Sequence, residues 1–163
     1  MLLFTDGSVH VQSKIGYAAY LFIPETEIPL DEIKSRVKII RFEPTTSTKL
    51  ELQTLLAALD EIQDTDEEIR VFTDSQNISN LPNRRERLEK NNFHSKTNQT
   101  LNNAELYSVF FEKLDGLNIT FEKVKGHKST KQKTKTELIF TLVDRASRSA
   151  LRNEIRDSEL TVC

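Results

Sequence analysis

The order of elements written into this chain predicts an α/β protein, a mixed sheet flanked by helices. Three observations lead there. The first part of the chain carries three apolar runs of strand length, residues 2–4, 16–23 and 37–42, the last two followed by Pro24 and Pro44. Two later runs, 69–73 and 117–124, each follow a segment whose apolar residues recur at helical spacing. A final helical pattern closes the chain. Consecutive strands joined by short turns pair antiparallel, whereas strands reached through a helix can enter a sheet parallel.

Each element has its own local signal. Leu2-Leu3-Phe4 reads as a short strand ended by the turn signal Asp6-Gly7, and Glu25 to Asp31 reads as a loop. Thr45-Thr46-Ser47-Thr48 offers hydroxyls for a helix N-cap, and Thr48-x-x-Glu51 matches a capping box. Leu52, Leu55, Leu56, Leu59 and Ile62 then mark one helix face. After the strand 69–73, Ser75-Gln76-Asn77-Ile78 starts a short helix. Residues 82–100 are the least regular stretch, rich in Asn and basic residues. Asn102 or Asn103 can cap a helix bearing Leu106, Val109, Phe110 and Leu114, which stops near Gly116. Lys125 to Thr136 is a loop rich in Lys, Thr and Ser. A last helix, from Glu137 to about Arg156, carries Leu138, Leu142, Ala146, Ala150 and Leu151. Residues 1–156 thus form a single domain, and 157–163 a frayed tail.

Composition narrows the class. A chain of 163 residues, 37% hydrophobic and 29% charged, is long enough for one real core. The net charge of −2 does not exclude nucleic acid, because a basic face can be offset elsewhere. The single cysteine, Cys163, rules out an internal disulfide and fits a reducing, cytoplasmic setting. No run approaches the ~18 apolar residues of a membrane span, and no basic-then-apolar leader precedes the first strand.

Four carboxylates stand where burial is expected: Asp6 after the first strand, Glu51 in the first turn of a helix, Asp74 after Phe72-Thr73, and Asp144 within Leu142-Val143. Each has an ordinary use. Asp6 can begin a turn, Glu51 can close a capping box, Asp74 can cap a helix, and Asp144 can pair with Arg145 or Arg148. A lone buried carboxylate costs several kcal/mol unless paired, protonated or metal-bound, so four such acids call for a shared explanation. A cluster holding divalent cations supplies it.

Read together, Phe4-Thr5-Asp6-Gly7-Ser8, Thr45-Thr46-Ser47 leading to Leu50-Glu51-Leu52, Phe72-Thr73-Asp74-Ser75-Gln76, Val124-Lys125-Gly126-His127 and Val143-Asp144-Arg145-Ala146 resemble the type 1 ribonuclease H family, in its order and over nearly the whole chain. The resemblance implies a ribonuclease H-like fold with a five-stranded mixed sheet. It implies endonucleolytic hydrolysis of the RNA strand of an RNA–DNA hybrid, leaving 5′-phosphate and 3′-hydroxyl ends. Two Mg²⁺ ions, replaceable by Mn²⁺, would be held by Asp6, Glu51, Asp74 and Asp144. Asp6 would bridge both, Asp144 would hold the ion that activates water, and Glu51 and Asp74 the ion at the leaving group. His127 would assist proton transfer or product release, and Lys123, Lys125 and Lys128 around it disfavour the imidazolium. The chemistry agrees: paired cations activate water and stabilise a leaving oxygen, and Mg²⁺ prefers oxygen donors.

By the same resemblance Ser47, Thr48 and Gln76 occupy positions used for groove contacts, and Asn102 or Asn103 would reach the DNA strand, with Phe93 stacking near it. Two basic stretches, Arg84 to Lys96 and Lys123 to Lys135, suit phosphates or simply water. The chain departs from the family pattern in three places. The turn after Asp6 lacks glycine until Gly16. The interval from His127 to Asp144 is 17 residues, longer than in the common bacterial enzymes. Phe140 and Thr141 replace an Asn-Glu pair. The reading is a monomeric, cytoplasmic ribonuclease H with no membrane association. The competing readings are a non-catalytic hybrid- or RNA-binding module, and a nuclease for another polynucleotide.

Overall fold

A computed structural model describes residues 1–24, 28–63, 65–124 and 133–161, with side chains through residue 158. His127 and most of the second basic stretch lie outside the described residues. The sheet has five strands in the order β3-β2-β1-β4-β5. β1 (Leu2–His10) pairs antiparallel with β2 (Ile15–Ile23), and β2 with β3 (Lys38–Phe42). β1 is parallel to β4 (Ile69–Thr73), and β4 to β5 (Ile119–Lys123). The mixed sheet predicted from the element order is therefore present.

β1 corrects the sequence reading. It does not end at Asp6-Gly7 but runs on to His10, in register with β2 from Leu2↔Ile23 to His10↔Ile15. The turn falls later, with Lys14 at φ 57°. Gly7 serves close approach instead of a turn: a Cβ there would lie 2.8 Å from Leu50 Cδ2, and one at Gly16 would lie 2.6 Å from Thr45 Cγ2. These two glycines let the start of α2 (Ser47–Asp60) settle on the β1–β2 hairpin.

Strand alternation divides the core. Leu3 packs with Leu52, Leu55, Leu59, Phe110 and Phe111, on the side of α2 and α5 (Ala104–Gly116). Phe4 packs on the opposite face with Phe72, Ile139, Phe140 and Val143 of α6 (Lys135–Thr161), its ring 4.7 Å from that of Phe72. Phe140, the departure noted above, is thus a core residue.

Helix starts differ from expectation for a physical reason. Thr46, not Thr48, caps α2, its Oγ1 accepting from the Lys49 amide at 3.3 Å. That leaves Glu51 past the first turn and out of any capping box. The reciprocal box forms at Thr134-x-x-Glu137: the Thr134 amide donates to Glu137 Oε2 at 2.8 Å, and the Glu137 amide to Thr134 Oγ1 at 3.3 Å. It starts α6 two residues earlier than predicted. α6 also stays helical through Thr161, past the point where fraying was expected.

The stretch read as a loop before Asp31 gives way at Leu30 to α1 (Leu30–Ser35), a helix too short for a periodic signal, held by the buried Ile33. After α3 (Gln76–Asn80), the irregular region contains a 3₁₀ turn at Pro82–Arg84 and α4 (Arg85–Lys90). Asn92, Phe93 and Asn98 follow at positive φ. The Phe93 ring packs on that of Phe111 at 6.3 Å and stays partly exposed.

Candidate active site

Four elements deliver one carboxylate each to a single cleft of ≈ 600 Å³: Asp6 from β1, Glu51 from α2, Asp74 from the end of β4 and Asp144 from α6. Thr5, Ser8, Ser75, Arg148 and Arg152 are among its other walls. The ordinary uses fall away for three of the acids, Glu51 being already out of any capping box. Asp6 lies within a strand, and α3 is capped by Ser75, not Asp74, with Ser75 Oγ accepting from the Ile78 amide at 3.2 Å. For Asp144 the ordinary use is realised: Arg148 Nε donates to its Oδ1 at 2.6 Å.

The electrostatics show uncompensated charge. Burial first, then the neighbouring charges of Asp74 and Asp144, push the Asp6 carboxyl up to about 7. Burial also raises the Glu51 carboxyl, with Asp74 adding to it, against the hydrogen bond from Ser75. That bond runs from Ser75 Oγ to Glu51 Oε2 at 2.7 Å. On the other side the fully buried Ser147 places Oγ 3.1 Å from Asp6 Oδ2, 3.0 Å from the Asp144 carbonyl and 3.0 Å from Ser8 Oγ. One hydroxyl proton serves one acceptor at a time, so Ser147 relieves Asp6 only in part.

Ser75 and Ser147 are the residues the sequence reading missed. Their signal was positional: Ser147 lies one helical turn after Asp144, and Ser75 directly follows Asp74.

The other expected residues that the structure describes do not line the cleft. Ser47 and Thr48 are exposed in the first turn of α2. Gln76 Oε1 accepts from Lys123 Nζ. Asn103 heads α5 without a side-chain cap bond and shares a depression of ≈ 490 Å³ with Lys49, Thr100 and Asn102, where the starts of α2 and α5 meet. In the first basic stretch, Arg84 bonds Asn77 Oδ1 and Arg85 pairs with Glu89 and Asp115.

The donor set suits a hard divalent cation: carboxylate and hydroxyl oxygens, with no His or Cys lining the cleft among the described residues. Among the described residues, no three acidic side chains are already gathered into a cation cage. Each of three acids has a local partner: Ser147 engages Asp6, Ser75 engages Glu51 and Arg148 engages Asp144.

The RNase H family model matches residues 1–148. The chain belongs to the RNase H family. A ribonuclease H from Caldicellulosiruptor saccharolyticus (strain ATCC 43494 / DSM 8903 / Tp8T 6331) is 29% identical over 112 residues, covering 68% of this chain and 72% of that protein. The solution structure of the PFV RNase H domain superposes with a TM-score of 0.69 at 18% identity, over 91% of this chain and 92% of that one. A foamy viral protease–reverse transcriptase in complex with dsDNA gives 0.62 at 15%, over 91% and 94%. These two likenesses establish the ribonuclease H-like fold. Family membership makes the chain a hydrolase of the ribonuclease H class, a nuclease for RNA–DNA hybrids in the general sense of that class. The family works with divalent metal ions. No helix among the described residues is long and apolar enough to cross a membrane.

Proposed function

We propose that this ribonuclease H cleaves the RNA strand of RNA–DNA hybrids endonucleolytically, leaving 5′-phosphate and 3′-hydroxyl ends, with Asp6, Glu51, Asp74 and Asp144 as the residues that hold two Mg²⁺ ions. The observation that carries the reading is the convergence of these acids, from four separate elements, on one cleft. When bound, the ions supply charge neutralisation, an activated water and a stabilised leaving oxygen.

The chain's own residues do the rest. Burial first, and then the charges of Asp74 and Asp144, disfavour the ionised form of Asp6 without cations. Ser75 holds Glu51 and Ser147 holds Asp6, which keeps both carboxylates directed into the cleft. Arg148 pairs with Asp144 through Oδ1 and competes with a cation for that oxygen. Ser47, Thr48, Gln76 and Asn103 are assigned to contacts with the hybrid outside the cleft, and His127 to proton transfer or product release. The protein acts as a monomer in the cytoplasm under this reading.

Cleavage of a labelled RNA–DNA hybrid with Mg²⁺ and with Mn²⁺, beside duplex RNA, duplex DNA and single strands, tests it. Cutting confined to the RNA of the hybrid, and lost in Asp74→Asn, is the expected result. Tight hybrid binding without cutting under either metal would replace it by the binding-module reading.

A further inference from the structure

The cleft does not end at the carboxylates. Beyond Asp144, α6 carries Arg148, Arg152 and Arg156 at four-residue spacing. Residues four apart share a helix face and are separated by roughly 6 Å along the axis. Arg148 and Arg152 line the active cleft. Arg152 and Arg156 line a second depression, of ≈ 530 Å³, together with His10 at the end of β1. Val9, Leu151 and Arg152 border both, so the two depressions form one groove running from the acids along the side of α6.

Two features distinguish this row from an ordinary solvated face. First, several other arginines of the fold are matched by acids: Arg36 by Glu32, Arg41 by Glu43 and Glu154, Arg70 by Glu122, and Arg85 by Glu89 and Asp115. Arg152 has no carboxylate partner among the described residues, and its Nε reaches only the Arg148 carbonyl at 3.5 Å. Arg156 meets Asp157 only at 3.9 Å. Second, this part of α6 is tied to the sheet. Glu154, between the two arginines, accepts from Tyr17 Oη at 2.5 Å and from Arg41 Nε at 2.9 Å and Nη2 at 2.7 Å. The groove wall therefore has a fixed position relative to the acids. Residues 149 onward lie beyond the segment that the family model matches, so Arg152 and Arg156 stand outside the matched pattern.

We propose that Arg152 and Arg156 form a phosphate track that holds the backbone of the substrate strand next to the cleft, with Arg148 at its head. The proposal rests on the nuclease reading above and deepens it. A guanidinium presents a planar fork to phosphate oxygens, and a row of them one helical turn apart meets successive charges on a strand. The contacts are to backbone, so they carry affinity and salt dependence without reading sequence.

The test is binding of a labelled RNA–DNA hybrid between about 50 and 200 mM salt, in Ca²⁺, on an Asp6→Asn background that blocks turnover. The variant adds Arg152→Ala and Arg156→Ala; the control adds Arg36→Ala on α1, which lines neither depression. Circular dichroism and melting verify that each is folded. The expected result is a fall of about 2 in the slope of log K against log salt, near one unit for each phosphate left without its arginine, with the control unchanged. Arg152→Lys with Arg156→Lys should restore most of the slope, because the charges remain. A folded Ala variant with the parent's slope and affinity would overturn the track. If the Asp6→Asn protein ignores hybrids but binds duplex DNA with a slope that depends on these arginines, the hybrid reading fails and the track stands. Binding to no polynucleotide defeats both.

Discussion

Two carboxylates, one packed against α6 and one carried by it, meet opposite fates. Asp6 lies against Ser147 of α6 with Asp74 and Asp144 nearby, and its carboxyl is pushed up to about 7, chiefly by burial. Glu154, farther along α6, is pulled down to about 2, chiefly by the Arg41 hydrogen bonds and then by Tyr17. The fold supplies a cation and a hydroxyl where it needs a clamp, and gathers like charges where the cleft opens. Uncompensated buried charge opposes folding. The contrast between a raised Asp6 and a clamped Glu154 supports the proposed cation site.

The strongest way to break this contrast is Asp6→Asn. Hybrid cleavage should fall by about 10²–10³-fold or more, the scale for losing one group that stabilises transition-state charge; cleavage kinetics at saturating Mg²⁺ measure it. The same variant tests the electrostatics without metal. The folded-state value of Asp6, about 7, lies above its ordinary 3.8, so the folded protein binds the extra proton between them. Metal-free stability should therefore decline as pH rises through that window, and Asp6→Asn should flatten the decline. Melting curves that keep the wild-type pH dependence would show that Asp6 does not titrate there.

A second test touches neither carboxylate. Gly16→Ala places a methyl against Thr45 and Leu50 and should cost about 1–3 kcal/mol in urea unfolding. An unchanged midpoint would mean that the seat of α2 on the hairpin, which positions Glu51, yields easily.

The clamp itself is tested by Glu154→Gln. Glu154 is 25% exposed and Arg41 40%, so screening reduces what the pair contributes. The melting temperature should fall by about 2–4 °C, the shift that 1 kcal/mol produces in a chain of this size. Because the folded-state value is depressed, the contribution is present above the ordinary 4.5 and is lost as pH falls toward about 2. Wild type and variant should converge there; a gap that persists in acid would point to packing instead of charge.

The smallest expected effect is at Arg148. Its exposed pair with Asp144 spans one helical turn, worth about 0.3–0.5 kcal/mol. Arg148→Ala should lower the half-saturating Mg²⁺ concentration about twofold by calorimetric titration. No change would show that Arg148 does not compete with the ion.

Much of this was legible in the sequence because it depends on local signals. Alternation and helical spacing placed β4, α2 and α5 within a few residues, and acids that interrupt or end apolar runs marked all four carboxylates of the cleft. Asp6-Gly7 looks like a turn and Thr48-x-x-Glu51 looks like a capping box, but pairing across the hairpin overruled the first and a cap two residues upstream overruled the second. The pairing of Ser8, Val9 and His10 with β2 extends the strand, and the Thr46 cap moves Glu51 into the cleft.

The sequence by itself determined the elements, the mixed sheet and the identity of the acids, because periodicity and residue chemistry are properties of neighbours along the chain. Tertiary structure alone decided that Ser75 would hold Glu51, that Ser147 would hold Asp6, and that Glu154 would find Arg41 and Tyr17. Such contacts join residues as far as 141 positions apart, and no local pattern encodes which side chains meet when two faces of a sheet are covered.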